Sequence, residues 1–373
     1  MKAATAPVQR PRDARLLVVD ARGGISHRPR SALAEALAPG DLVVANDAAT
    51  WPASLAGTHV ATGEAIEVRL AGRASLAADD VRTFSAVVFG AGDHRTPTEQ
   101  RPLPPPLGVG DALALGPLTA CVAAVLGHPR LVALRFDGDA DAIRAGIARH
   151  GRPVQYAHVE APLALWDVWT RIAALPAAFE PPSAGFALDW RMLDRFAARG
   201  IAFATLTHAA GLSSTGDPVL DARLPLDEPY VIPAATVAAI AAARRRGGRV
   251  VALGTTVARA LEHAASQRGG LRAGSGVADN RIGASTRLAL VDAIVSGTHE
   301  AGSSHHALLA AFVAPSTLAR VDDALEAGGY RTHEFGDSVL IERAARAPAQ
   351  PDWNLKTATL ARRFGSVRTV LPA

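Results

Sequence analysis

Four apolar residues, Val250-Val251-Ala252-Leu253, run into Gly254 and then directly into Thr255-Thr256-Val257-Ala258-Arg259-Ala260-Leu261-Glu262. A buried strand, a tight turn and a helix start packed into a dozen residues make a βα unit, the building block of an α/β sheet. Where that helix begins, unpaired N–H groups and the helix dipole favour an anion or a ligand carboxylate, and the hydroxyls of Thr255 and Thr256 are at hand. Arg259 and Glu262 fall one turn apart on the helix. The same residues fit an ordinary βα turn with a Thr N-cap and a surface ion pair.

The rest of the chain sets limits. At 373 residues, 49% of them apolar, it has room for two domains or for one with a large insertion. No apolar run of about 20 residues occurs, and Met1 to Arg15 has no signal-type stretch, so a soluble cytoplasmic protein without membrane contact is expected. The single cysteine, Cys121, rules out an internal disulfide and a cysteine-based metal cluster, and no metal is expected. Arginine abounds while lysine is confined to Lys2 and Lys356. The net charge of +4 gives weak support to a polyanionic partner.

In chain order, Arg15 to Val19 predicts a strand and Ser31 to Leu37 a short capped helix. Leu42 to Ala45 is a second strand. It ends on Asn46-Asp47 at a strand's C-terminal edge, a usual place for ligand groups in an α/β sheet and equally a place for Asx turns. From Gly63 to about His150 the pattern changes to short strands, Ala65 to Leu70, Thr83 to Phe89, Thr119 to Leu126 and Arg130 to Phe136, with Gly- and Pro-rich turns between them. That spacing suggests an inserted small β-barrel or sandwich. Helix and strand alternation then returns, with a helix over Leu163 to Ala173 that places Trp166 and Trp169 in the core, helices from Trp190 and Thr236, and a strand from Ile201 to Leu206. Ser303 opens a further helix, and Val339 to Ile341 reads as the final strand. The expected organisation is an α/β (α+β) main domain, residues 1–68 and 149–345, an inserted β-barrel-like domain over 69–148, and a basic tail over 346–373 in which 355–364 has one short helical pattern.

Several stretches in a fixed order resemble the S-adenosylmethionine:tRNA ribosyltransferase-isomerases of queuosine biosynthesis. Pro39-Gly40-Asp41-Leu42-Val43-Val44-Ala45-Asn46 is similar to the family's PGDLLVxN, and Gly63 with Ile66-Glu67-Val68 to its GGKIEV. Pro182-Ser183-Ala184-Gly185 stands for PTAG, and Leu253-Gly254-Thr255-Thr256 through Arg259 to Glu262 for VGTTSVRSLE. Val291-Asp292-Ala293 with His299 and Ser303 resembles VDALVTNFHLPxST, and Phe335-Gly336-Asp337 the terminal YGD. Polar positions depart from these patterns. Ala49 and Ser54 replace two arginines, Ala65 a lysine and Ala187 a histidine, and Leu212-Ser213-Ser214 replaces the GTF expected after His208. Lost cations are what an enzyme released from a phosphate-rich tRNA would show. Arg69 and Arg73, or Arg343, Arg346, Arg362 and Arg363, offer a replacement basic surface.

The resemblance implies transfer of the ribosyl group of S-adenosylmethionine to an aminomethyl-deazaguanine base in tRNA, with isomerisation and loss of adenine and methionine. S-adenosylmethionine is then a co-substrate and tRNA a partner, with the protein a monomer or weak oligomer. A base must remove a proton beside the sulfonium, and His208, Glu228 and His299 are the candidates. Thr255 and Thr256 would hold the methionine carboxylate or ribose with Arg259 as counter-charge. Asn46, Glu67, Ser183, Gly185, Gly254 and Ser303 complete the implied binding set, and Asp292 and Asp337 would orient hydroxyls or an amine, or cap turns. Two other readings stay open: a paralogue using S-adenosylmethionine with a small acceptor or none, and a non-catalytic binding protein on the same scaffold.

Overall fold

The computed structural model describes residues 1–343, so the tail from 346, its helical stretch over 355–364 and Arg346, Arg362 and Arg363 lie outside the described residues. Val250–Leu253 is the middle strand of a nine-stranded sheet. Its order is Gly274–Ala278, Glu228–Ile232, Ala202–His208, Leu42–Asn46, Val250–Leu253, Ala293–Gly297, Ser338–Glu342, Arg15–Val19 and Ile25–Pro29. The four strands from Ala202–His208 to Ala293–Gly297 are parallel, whereas Glu228–Ile232 and Ser338–Glu342 join them antiparallel. All four residues of Val250–Leu253 are buried because helices cover both faces. Strand alternation sorts the core in two. Leu42, Val44, Val250 and Ala252 face Ile240, Val257 and Leu261 of the helices Ala234–Arg245 and Thr255–Ser266. Val43, Ala45, Val251 and Leu253 face Met192 and Phe196 of the helix Trp190–Ala198.

The helix Thr255–Ser266 is not capped by a threonine. Gly254 occupies the N-cap at φ +106°, a backbone region that glycine enters without steric cost, and its N–H donates to Val295 O at 2.8 Å. Arg259 and Glu262 do not form a surface pair either. Both are buried, and Glu262 accepts from the N–H groups of Ala289, Leu290 and Val291.

Six antiparallel strands close a barrel in the order Leu118–His128, Leu131–Phe136, Thr83–Phe89, Ala65–Gly72, Ser54–His59 and Ala112–Leu115. Phe84, Phe89, Leu113, Leu115 and Leu134 fill it, and Ile143 and Ile147 of the helix Ala140–His150 pack against the same core. Closure happens at Gly57, where a Cβ would lie 2.1 Å from the Ala114 carbonyl oxygen. Ser54–His59 carries few large apolar side chains to mark it as a strand, and Ala65–Gly72 runs straight across the limit expected at residue 69.

One expected helix is replaced by 3-10 turns and another is cut to a single turn. Arg30–Ala32 and Ala34–Ala36 are separate 3-10 turns, held where the buried Arg30 guanidinium donates to Gly336 O and Gln9 O. Over Leu163 to Ala173 only Leu165–Val168 is helical, its start capped by Asp167, whose carboxylate accepts from Ala164 N at 2.8 Å. Trp166 and Trp169 are consequently not core residues, at 76% and 40% exposure, and Trp169 Nε1 donates to Thr50 O.

Candidate active site

The C-terminal edges of the parallel strands open into a cleft made of two adjoining spaces. The larger, about 730 Å³, is lined by Tyr156, His158, Ser213, Ser303 and His333 among others; the smaller, about 140 Å³, by Glu180, Ser183, Glu228, Thr255, Thr256 and Arg259. Ser213, His299, Ser304, His305, His333 and Glu334 line both, so the two are continuous. The combined size suits a small-molecule ligand.

The Gly254 turn builds the floor of the smaller space. Ser183–Ala187, a 3-10 turn, packs against it, with the Ala184 methyl 3.4 Å from where a Gly254 Cβ would sit, and so Ser183 comes beside Thr255 and Thr256. Asn46 does not line the cleft. Its amide donates to His208 O at 3.0 Å and Thr256 Oγ1 at 3.3 Å, while its oxygen accepts from His208 N and Ala48 N. It fastens two strand ends together and orients the Thr256 hydroxyl.

Of the three candidate bases, His299 alone is both at the cleft and unencumbered by a charge partner among the described residues. Its Nε2 meets Ser296 Oγ at 3.1 Å and its ring stacks on His305 at 4.6 Å. Loss of hydration, with His305 adding repulsion, holds its pKa well below the ordinary imidazole value, so it is neutral at physiological pH. Glu228 lines the cleft but is committed to a buried ion pair with Arg259 and accepts from Gly211 N at 2.6 Å. Burial raises its pKa against the pull of Arg259. Arg259 is equally committed: beyond Glu228 it donates to the carbonyls of Asn280, Leu226 and Ala278. Its charge is cancelled internally, which corrects its expected role as counter-charge to a ligand.

His208 is fully buried and lines neither space. Neither ring nitrogen has a hydrogen-bond partner among the described residues, and Glu228 Oε2 lies 3.5 Å from Nε2. Burial, reinforced by Arg259, lowers its pKa to about 3. An imidazole cut off from the cleft is a structural group, not the base. In the unfolded chain it binds a proton below about pH 6.5, whereas the folded chain takes one only near 3, so stability falls as pH drops below 6.5. The loss is expected to reach about 2 kcal/mol at pH 5. Urea melts at pH 7 and 5 should show a His208→Leu variant losing correspondingly less on acidification; an equal loss in both proteins would refute it.

Four other expected residues lie elsewhere. Glu67 sits in the barrel, paired with Arg69 and Arg101 and accepting from Ser54 Oγ. Asp292 is at the opposite end of the sheet, because it precedes Ala293, which pairs with Val251, while the turn follows Leu253. There it binds Val250 N, Arg244 and Arg343. Asp337 is buried, accepts from Arg15 N and Arg331 N, and fixes the turn that precedes it. Gly185 is a packing glycine, with Thr170 Cγ2 2.9 Å from its notional Cβ. Ser303 lines the larger space and caps Ser304–Leu309 by accepting from His306 N.

Sequence reasoning missed Tyr156, His158, Glu180, His305, His333 and Glu334. Tyr156 donates to the Glu180 carboxylate, which also accepts from Ser213 N. Burial, opposed by those hydrogen bonds, pushes Glu180 up to about 7. Its position just ahead of Pro181-Pro182-Ser183 was the available signal.

A family model described as "Queuosine biosynthesis protein" matches residues 1–341. The chain belongs to the queuosine biosynthesis protein family. Among curated relatives, the S-adenosylmethionine:tRNA ribosyltransferase-isomerase of Pelobacter propionicus is 35% identical over 341 residues, covering 88% of this chain and 92% of that protein. Its namesake from Anaeromyxobacter sp. is 34% identical over 346 residues, covering 90% and 94%. A crystal structure of S-adenosylmethionine tRNA ribosyltransferase from Thermotoga maritima aligns at a TM-score of 0.48 and 24% identity over 91% of this chain and 96% of that one. Within this queuosine biosynthesis family member, no helix among the described residues is long and apolar enough to cross a membrane.

Proposed function

We propose that this chain transfers the ribosyl group of S-adenosylmethionine to 7-aminomethyl-7-deazaguanine in tRNA, with isomerisation of the sugar and release of adenine and methionine. The observation that carries this reading is the meeting of Ser183, Thr255, Thr256 and His299 in one small space at the sheet's C-terminal edge. With Arg259 neutralised by Glu228, the methionine carboxylate is held by the N–H groups and hydroxyls at the start of Thr255–Ser266. His299 takes the proton from the carbon beside the sulfonium, whose positive charge stabilises the resulting ylide. The larger space beside it receives the acceptor base. A neutral histidine at the cleft argues against a catalytically silent binding protein. We further place the inserted barrel unit from Ser54 to His150, between the two parts of the main domain, and assign the protein to the cytoplasm as a monomer or weak oligomer.

The test is an incubation of the purified chain with ribose-labelled S-adenosylmethionine and tRNA carrying the aminomethyl base. Label moving to tRNA with matching amounts of free adenine and methionine is expected. Turnover of S-adenosylmethionine with no label on tRNA would discard the acceptor.

One observation favours the reading with a small acceptor. Arg69 and Arg73 are buried, and Arg343 pairs with Asp292, so none of them supplies the replacement basic surface expected of them. Filter binding to tRNA at rising salt separates the two. The tRNA reading expects micromolar or tighter binding that weakens steeply with salt; weak binding insensitive to salt would favour the small acceptor.

A further inference from the structure

Two imidazoles and a carboxylate, His158 and the adjacent pair His333 and Glu334, converge at the wall of the larger space. His158 Nε2 lies 3.0 Å from Glu334 Oε2, and the rings of His158 and His333 stack at 4.2 Å with 20° between their planes. One ligand atom from each of the three lies within 4.8 Å of the other two. Glu300 Oε1 is 3.7 Å from His333 Nε2 on the other side. All four residues line the cavity and are partly open to it. Stacked imidazoles at this separation repel if both are protonated, and hydrogen bonding among the three satisfies only one of the two rings with the carboxylate. A divalent cation that takes the nitrogen lone pairs and the carboxylate together satisfies all of them.

The surroundings hold these groups in place. His333 has φ +70°, an uncommon conformation for a residue with a side chain, fixed because Asp337 accepts from Arg331 N and Gly336 N donates to His333 O. Phe335 stacks on Phe186 at 5.5 Å, and Tyr156 lies parallel to His158 at 6.2 Å. Such support from outside is what a metal site needs to keep its ligands oriented.

We infer that His158, His333 and Glu334 bind one divalent transition-metal ion, of the kind imidazole and carboxylate prefer, such as Zn²⁺ or Co²⁺, with the remaining coordination positions facing the cleft. This goes against the expectation from the cysteine count, which addresses sulfur ligands alone. It does not rest on the proposed reaction.

The experiment is a titration of tag-free, metal-depleted full-length protein with Co²⁺, followed by visible absorption, and with Zn²⁺ in competition. One ion per chain is expected, with d–d bands that Zn²⁺ abolishes. Glu334→Gln and His333→Ala should each weaken binding by at least about tenfold, a loss that even residues behind the ligands can cause. Circular dichroism confirms that both variants fold, and Glu334→Gln keeps the side chain's shape if His333→Ala does not. His150→Ala, at the end of the helix Ala140–His150 and lining neither space of the cleft, should leave binding intact. Absence of saturable binding, or equal binding by wild type, Glu334→Gln and His333→Ala, overturns the assignment.

Discussion

Replacing His299 by alanine is expected to lower the rate of ribosyl transfer by about 10²- to 10⁴-fold, the usual contribution of a positioned general base. The reason is placement: His299 lies where the two parts of the cleft join, with Ser296 Oγ at 3.1 Å steadying the ring and His305 stacked upon it. A base works only when deprotonated, so the rate is lost as pH falls through its pKa. Because burial holds His299 well below the ordinary value, the acid limb of kcat/KM should fall below about pH 6.5. Single-turnover measurements across pH 4 to 9 check both statements. A limb near pH 7 that persists in the alanine variant would move the role to Glu180, whose carboxyl titrates at about 7.

The second large effect is on stability. Arg259→Met should cost about 3–5 kcal/mol, because it leaves the Glu228 carboxylate buried without a counter-charge. Arg259 also joins three carbonyls, from Leu226, Ala278 and Asn280, so its loss loosens the sheet edge formed by Glu228–Ile232 and Gly274–Ala278. Adding Glu228→Gln to the same chain should restore part of the loss, since the stranded charge is then gone. Urea unfolding of the two single variants and the double variant measures the coupling. A single-variant loss below about 1 kcal/mol would mean that the pair is solvated and that the sheet edge does not depend on it.

How much of this was legible in the sequence depended on whether a residue's neighbours are local. Val250 to Leu253 announced itself because a central parallel strand is apolar on both faces, and the barrel strands Ala65–Gly72, Thr83–Phe89, Leu118–His128 and Leu131–Phe136, though not Ala112–Leu115, because they are apolar and separated by turns. Ser54–His59 escaped notice because it has one large apolar side chain, and its glycine matters only for what it meets on another strand. Trp166 and Trp169 misled, since an aromatic pair at helical spacing looks the same in sequence whether it is buried or exposed. The site was legible in part. Ser183, Thr255 and Thr256 sit in recognisable motifs, and all three line one space. Nothing in the sequence said that Arg259 would be spent on Glu228, or that Asp292 and Thr255 mark opposite ends of one strand pair. Tyr156, His158 and His333 lie in loops without a motif, and only the fold brings them together.

Asn46 and His208 exchange hydrogen bonds across 162 residues, with the whole barrel threaded between them. On a ribosome adding about 5–20 residues per second, roughly 10 to 30 seconds pass between the emergence of one partner and the other. The barrel strands, all lying between Ser54 and Phe136, are synthesised within that wait and can pair among themselves. The strand Leu42–Asn46, apolar from Leu42 to Ala45, has no sheet neighbour until Ala202–His208 follows it out, and His299 and His333 come later still. During synthesis the nascent chain therefore presents a finished barrel beside an unpaired apolar strand, which is the stretch a chaperone would be expected to cover.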